Sequence, residues 1–150
     1  METVPSRHLT YSTGPKGSRH LRKFAAEYLV NDLGAKSNLT ADNIFITPGL
    51  ASAIDALAWA LCDDGDAILI PRPYYNGFEW DLGNRSNVKI IGVSYDGLSS
   101  SCKLEDIFQP DINNMALEAA LHKAKKMKVR VRALMISKYV LMLRPMLSDC

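Results

Sequence analysis

The sequence predicts an α/β fold, with a mostly parallel sheet flanked by helices. Three observations carry that expectation. Short apolar runs of strand length recur at Ile44–Thr47, Ala67–Ile70, Val88–Val93 and Val131–Ile136. Segments of helical periodicity lie between them, and Gly, Pro, Asn and Asp punctuate the joints. Strands that alternate with helices imply right-handed crossovers, which lay neighbouring strands parallel.

Each element has its own signal. The opening stretch to Ser18 is rich in Gly, Pro, Ser and Thr and reads as a loop. A helix follows, with Leu21, Phe24, Ala25, Tyr28 and Leu29 on one face, Ser18 placed to cap its start and Gly34 to end it. Ile44–Thr47 is a short strand broken by Pro48 and Gly49, and an apolar helix runs from Leu50 to Cys62. The turn Asp63–Asp66 leads into the strand Ala67–Ile70. Pro71, Arg72 and Pro73 stop that strand and deliver Tyr74 and Tyr75 to a loop. A short helix covers Gly77 to Leu82, and the strand Val88–Val93 comes next. A serine-rich loop then leads to a helix near Asn114 to Met127 and the last strand, Val131–Ile136.

Bulk properties narrow the function classes. A chain of 150 residues fits one domain, and 47% hydrophobic with 23% charged residues is ordinary globular material. The net charge of +2 favours neither nucleic acid nor a membrane surface. The basic run from Lys123 to Arg132 has no interleaved aromatics, so it reads as a helix end and strand entry. Cys62, Cys102 and Cys150 have no metal-binding or CxxC spacing and read as free thiols in a reducing compartment. The N-terminus has no signal-peptide core, and no run approaches the roughly 18 apolar residues of a membrane span. The expectation is a cytoplasmic protein with no nucleic-acid, membrane or metal partner.

Ligands of open α/β sheets bind beyond the carboxyl ends of the strands, where two loops fall. In the first, Thr47 to Ala53, Gly49 permits a tight turn and the next amides form a helix N-terminus, which suits a phosphate. Many strand–Gly–helix joints bind nothing, and the loop is neither a Walker loop nor GxGxxG. The second, Pro71 to Phe78, sets two adjacent tyrosines at the mouth of the sheet. They can stack on a flat ring, although from spacing alone lid or core packing is the commoner role.

Taken together, the pieces are specific. Tyr-x-x-Gly-x-x-Gly-Ser-x-x-Leu-Arg runs from Tyr11 to Arg22, then come Asn-Ile-Phe-Ile-Thr-Pro-Gly and Asp-Asp-Gly-Asp-Ala-Ile-Leu-Ile-Pro-Arg-Pro-Tyr-Tyr-Asn-Gly-Phe. This order resembles the fold-type I pyridoxal-phosphate (PLP) enzymes of aminotransferase class I/II, above all aminocyclopropane-carboxylate synthase and its fungal relatives. The likeness covers Tyr11 to Ser137 and implies a partial PLP-binding large domain over residues 1–137. It implies amino-acid substrates and a dimer, of two like chains or with a full-length paralogue. Gly49, Leu50 and Ala51 fall where the family holds the cofactor phosphate through backbone amides. The family often has a hydroxyl residue at Ala51, and Ser52, one place on, is positioned to replace it. Tyr75 falls on the aromatic that stacks on the pyridine ring. Tyr11 falls near the tyrosine that reaches the phosphate of the neighbouring subunit.

The pattern then breaks. After Met135-Ile136-Ser137 the family continues into Asn-Pro-x-Asn-Pro-x-Gly, but Leu141 stands where the Asn that holds the ring hydroxyl should be. Residues 138–150 read as an aberrant tail, as a truncation or mis-joined gene would produce. PLP works as an electron sink when an Asp keeps its nitrogen protonated and a Lys forms the Schiff base. Both, with the Arg that binds the substrate carboxylate, lie beyond the break in the family. No catalytic residue is therefore expected here. The alternatives are a non-catalytic phosphate- or cofactor-binding module and a docking partner of a full-length paralogue.

Overall fold

The computed structural model describes residues 4–6, 14–98 and 109–137. The chain forms two compact units, Met1–Ala53 and Ile54–Cys150, and the boundary falls inside a helix.

In the first unit, α1 (Arg19–Asn31) is organised around a buried arginine. Arg22, 9% exposed, donates from Nε to the Gly17 carbonyl at 3.2 Å and from Nη1 to the Ala41 carbonyl, and Asp42 lies 3.8 Å away. These contacts hold a single 3₁₀ turn, Ala41–Asn43, beside the helix. The turn is closed by reciprocal capping. Thr40 Oγ1 accepts from the Asp42 amide at 3.3 Å, and Asn43 Oδ1 accepts from the Thr40 amide at 2.9 Å.

Three expectations need correction here. Arg22 and Ala26 are the buried residues of α1, while Leu21, Phe24 and Tyr28 of the expected apolar face are exposed. The reason is chemical: the turn presents backbone carbonyls, which need donors that an apolar stripe cannot supply. Ser18 does stand at the N-cap, but its side chain makes no capping hydrogen bond. Ile44–Thr47 is not a strand. Ile44 is extended, with φ −107 and ψ 134, yet among the described residues the segment's link to a neighbouring stretch is one bond, from the Ile46 amide to the Lys16 carbonyl at 3.1 Å. An extended segment becomes a strand only by sharing a ladder.

The second unit matches the expected architecture. β1 (Ala67–Pro71), β2 (Lys89–Val93) and β3 (Val131–Leu134) form a three-stranded parallel sheet in the order β2-β1-β3. Central β1 is buried on both faces, which is why it reads as an unbroken apolar run. Ile68 and Ile70 pack with Ile54 and Ala58 of α2 (Leu50–Leu61) and with Phe78 and Leu82 of α3 (Phe78–Gly83). Ala67 and Leu69 pack with Ile91 and Val93 of β2 and with Ala116, Ala120 and Ala124 of α4 (Pro110–Lys126). The three alanines recur every fourth residue, so they share one narrow helix face that lies close to the sheet. α4 starts earlier than its periodicity implied, because Pro110 at the first position supplies helical φ without needing its amide. Lys123, Lys125 and Lys126 occupy its last turn, where cations suit the helix dipole.

The amino ends of the strands are tied by charge. Asp66, just before β1, accepts from Arg130 Nε and Nη2 at 3.1 Å each, and Arg132 Nε lies 3.3 Å away. A register shift between Ala67 and Ile68 leaves Arg132 unmatched along β1, and its Nε donates to the Leu61 carbonyl at 2.7 Å. Hydrogen bonds from Arg130 and from the Asp63 amide hold the Asp66 carboxyl below its ordinary pKa.

Candidate functional site

In the first unit, the phosphate-loop candidates turn at Gly49, whose φ of +94 is a conformation that side chains with a Cβ rarely take. The Gly49 amide donates to the Thr47 carbonyl at 2.8 Å, and Thr47 Oγ1 donates to the Gly49 carbonyl at 2.8 Å. This compact turn launches α2. No acidic residue occupies the first turn of α2, and Gly49, Leu50 and Ala51 are exposed. The first amides of a helix have no intrahelical acceptor, so this end can receive an oxyanion. The Ser52 hydroxyl donates to the Pro48 carbonyl at 3.3 Å.

In the second unit, the loop after β1 fixes its aromatics through the core. Tyr75 meets Phe78 edge-on, with centroids 5.6 Å apart and planes at 84°, and Phe78 is itself buried among core residues. Gly77 makes room for the ring, since a Cβ there would come 2.1 Å from Tyr75 Cε1. Tyr75 remains 46% exposed, so a flat ligand ring can reach it. Tyr74 turns its hydroxyl to Glu79 Oε1 at 3.3 Å. Tyr11 lies outside the described residues. Thus Gly49, Leu50 and Ala51 keep geometry suited to a phosphate and Tyr75 to a ring, each within its own unit.

Sequence reasoning passed over Arg72. It directly follows β1, and its amide donates to the Val93 carbonyl at 2.9 Å. Its stem crosses the β2 backbone at Gly92, where a Cβ would come 2.2 Å from Arg72 Nε. The signal was available: an arginine set between two prolines at the end of an apolar strand. Other groups are accounted for by packing. Burial, then the neighbouring Asp66, pushes the Cys62 thiol up, which keeps it protonated and a poor nucleophile. Among the described residues no helix is long and apolar enough to cross a membrane.

Residues 5–137 match the sequence pattern of the family described as aminotransferase class I and II. The chain belongs to that family. It is 34% identical over 121 residues to 1-aminocyclopropane-1-carboxylate synthase 7 of Arabidopsis thaliana, which covers 81% of this chain and 25% of that protein. It is 34% identical over 136 residues to the Mus musculus protein named "Probable inactive 1-aminocyclopropane-1-carboxylate synthase-like protein 2", covering 91% of this chain and 23% of that one. Among solved structures, an aminotransferase from Eubacterium rectale is similar with a TM-score of 0.53 at 17% identity, over 81% of this chain and 36% of that one. That likeness concerns the fold. This aminotransferase-family chain spans about a quarter of the length of the curated relatives it matches.

Proposed function

We propose that this chain carries the cofactor face of a PLP-dependent aminotransferase-type domain and by itself catalyses nothing. In this reading Gly49, Leu50 and Ala51 hold the phosphate through their amides, and Tyr75 lies against the pyridine ring. Tyr11 serves the phosphate of a partner subunit, in a cytoplasmic dimer that acts on amino acids when the machinery is whole. Residues 1–137 supply the domain segment and residues 138–150 a tail outside the family pattern. The observation that supports the reading is that both loops fall inside the family match, one turning at a positive-φ Gly49 into a helix and the other presenting a half-exposed Tyr75.

When bound, PLP supplies an electron sink for bonds at the substrate carbon. The residues of this chain bind and orient: amides grip the phosphate and a tyrosine fixes the plane of the ring. None of the lysines up to Ser137 falls where the resemblance puts the Schiff-base lysine, so no group here is assigned to link the cofactor or move a proton at the substrate carbon. A docking partner of a full-length paralogue is the second reading. The exposed Leu21, Phe24 and Tyr28 of α1 favour it.

Borohydride reduction of the purified chain with PLP, followed by mass spectrometry, tests the first reading. The expected result is reversible PLP binding without a stoichiometric pyridoxyl-lysine, and no transaminase or lyase turnover. One fully labelled lysine would make the chain an enzyme and overturn the reading. Absence of any PLP binding would remove the cofactor face itself.

A further inference from the structure

Arg72 has a position and an isolation that packing does not explain. It stands one residue past the carboxyl end of β1, where Pro71 pairs with Val93 and Ile70 with Gly92. That edge is where ligands of parallel sheets bind. Two features of the sequence hold its side chain there. Gly92 has no side chain, so the Arg72 stem lies directly on the β2 backbone. Tyr74 places its ring 6.0 Å from the guanidinium carbon. That separation is the outer limit of a cation–π contact, enough to bias direction but not to neutralise charge.

Arg72 is exposed, as are most described arginines, yet all the others except Arg19 have an anionic or carbonyl partner. Arg22 has Gly17, Ala41 and Asp42; Arg85 has Asp55; Arg130 and Arg132 have Asp66. Arg72 forms no ion pair with any described carboxylate, and Glu79, across the Tyr74 ring, is engaged by the Tyr74 hydroxyl. A fixed stem with a planar fork that no described carboxylate engages is the arrangement that recognises carboxylate or phosphate.

We propose that Arg72 is an oxyanion-binding residue at the carboxyl edge of the sheet. Its ligand class rests on the cofactor-face reading: with the Gly49 loop assigned the phosphate, a carboxylate of a small organic acid is the expected partner. A phosphate is the other source of the same chemistry.

The test reads Arg72 directly. The Nε–H resonance of Arg72, assigned as the one missing from the Arg72→Gln spectrum, is followed by two-dimensional NMR. Glutarate, inorganic phosphate and sodium chloride are titrated separately at matched ionic strength. A saturable shift with glutarate supports the proposal with carboxylate as source, and one with phosphate alone supports it with phosphate as source. Arg72→Lys keeps the charge but loses the fork, so affinity falls about tenfold, as loss of a charge-assisted hydrogen bond implies. Equal, unsaturating shifts with all three salts overturn the proposal, as does unchanged glutarate and phosphate binding in Arg72→Gln measured by equilibrium dialysis. PLP dialysis run in parallel separates the two readings. If PLP fails to bind while Arg72 still saturates with an oxyanion, the cofactor face falls and the Arg72 site stands.

Discussion

The two units keep their shape by different means. In the second, the centre is apolar: β1 is sealed between Ile54, Phe78 and Leu82 on one face and the alanines of α4 on the other. In the first, the centre is an arginine that ties Gly17 and Ala41 together while nearby aromatics stay in solvent. An apolar residue is therefore not evidence of a core until something lies on it. The same sequence signal, a few β-branched residues between breakers, yields a buried strand at Ala67–Ile70 and, at Ile44–Thr47, a segment outside any strand ladder.

This difference has measurable consequences, the largest in the apolar core. Leu82, 1% exposed, contacts residues of both β1 and α2 through its cluster. Leu82→Ala removes that packing and leaves a cavity, at a cost of about 2–5 kcal/mol. Phe24→Ser, a larger chemical change at a residue 60% exposed, shifts stability by about 0.5 kcal/mol or less. Denaturant unfolding of both variants decides it. Comparable losses would mean that Phe24 is covered in solution and that the contrast between the units is false.

Arg22 is the corresponding weak point of the first unit. Arg22→Met keeps the stem but leaves the Gly17 and Ala41 carbonyls without their donors, at a cost of about 1–3 kcal/mol. The loss is local. Amide exchange should quicken at Asp42 and Asn43, whose amides close the turn on Thr40, and stay unchanged in β1. Slower or unchanged exchange at those two amides would show that the capping box alone holds the turn.

What was legible in the sequence follows the same division. β1, α3 and β2 could be placed within a residue or so; for β1 the reason is that burial on both faces leaves a dense apolar run, which Pro71 and Gly65 punctuate. The loop at Gly49 and the ring of Tyr75 were visible as motifs. The role of Gly77 in fixing Tyr75 was not, since a missing Cβ matters only once the ring lies over it. α1 misled because periodicity reports which side chains share a face, not which face is covered. Arg22 and Ala26 share a different face, and the carbonyl of Ala41, 19 residues away from Arg22, decided between them. A backbone acceptor leaves no trace in the side-chain pattern.

The smallest expected effect separates the two arginine-centred ties from each other. Arg22 acts mainly on neutral carbonyls. The tie at the amino ends of the strands titrates, because Asp66 is held below its ordinary pKa by Arg130 and by the Asp63 amide. A carboxyl with a depressed folded pKa releases its proton more readily in the folded chain than in the unfolded one. Its stabilisation is complete above the unfolded value of about 3.9 and is lost as pH falls through the folded value. Arg130 is more than half exposed, so solvent screens the pair and the change is modest. Unfolding followed from pH 7 down to about pH 2 should therefore show an acid limb that Asp66→Asn flattens and Arg22→Met leaves in place. If Arg22→Met flattened that limb instead, the ion pair of Arg22 with the exposed Asp42, 3.8 Å away, would outweigh the carbonyl contacts. The first unit would then be tied by charge, as the second is at its strand ends.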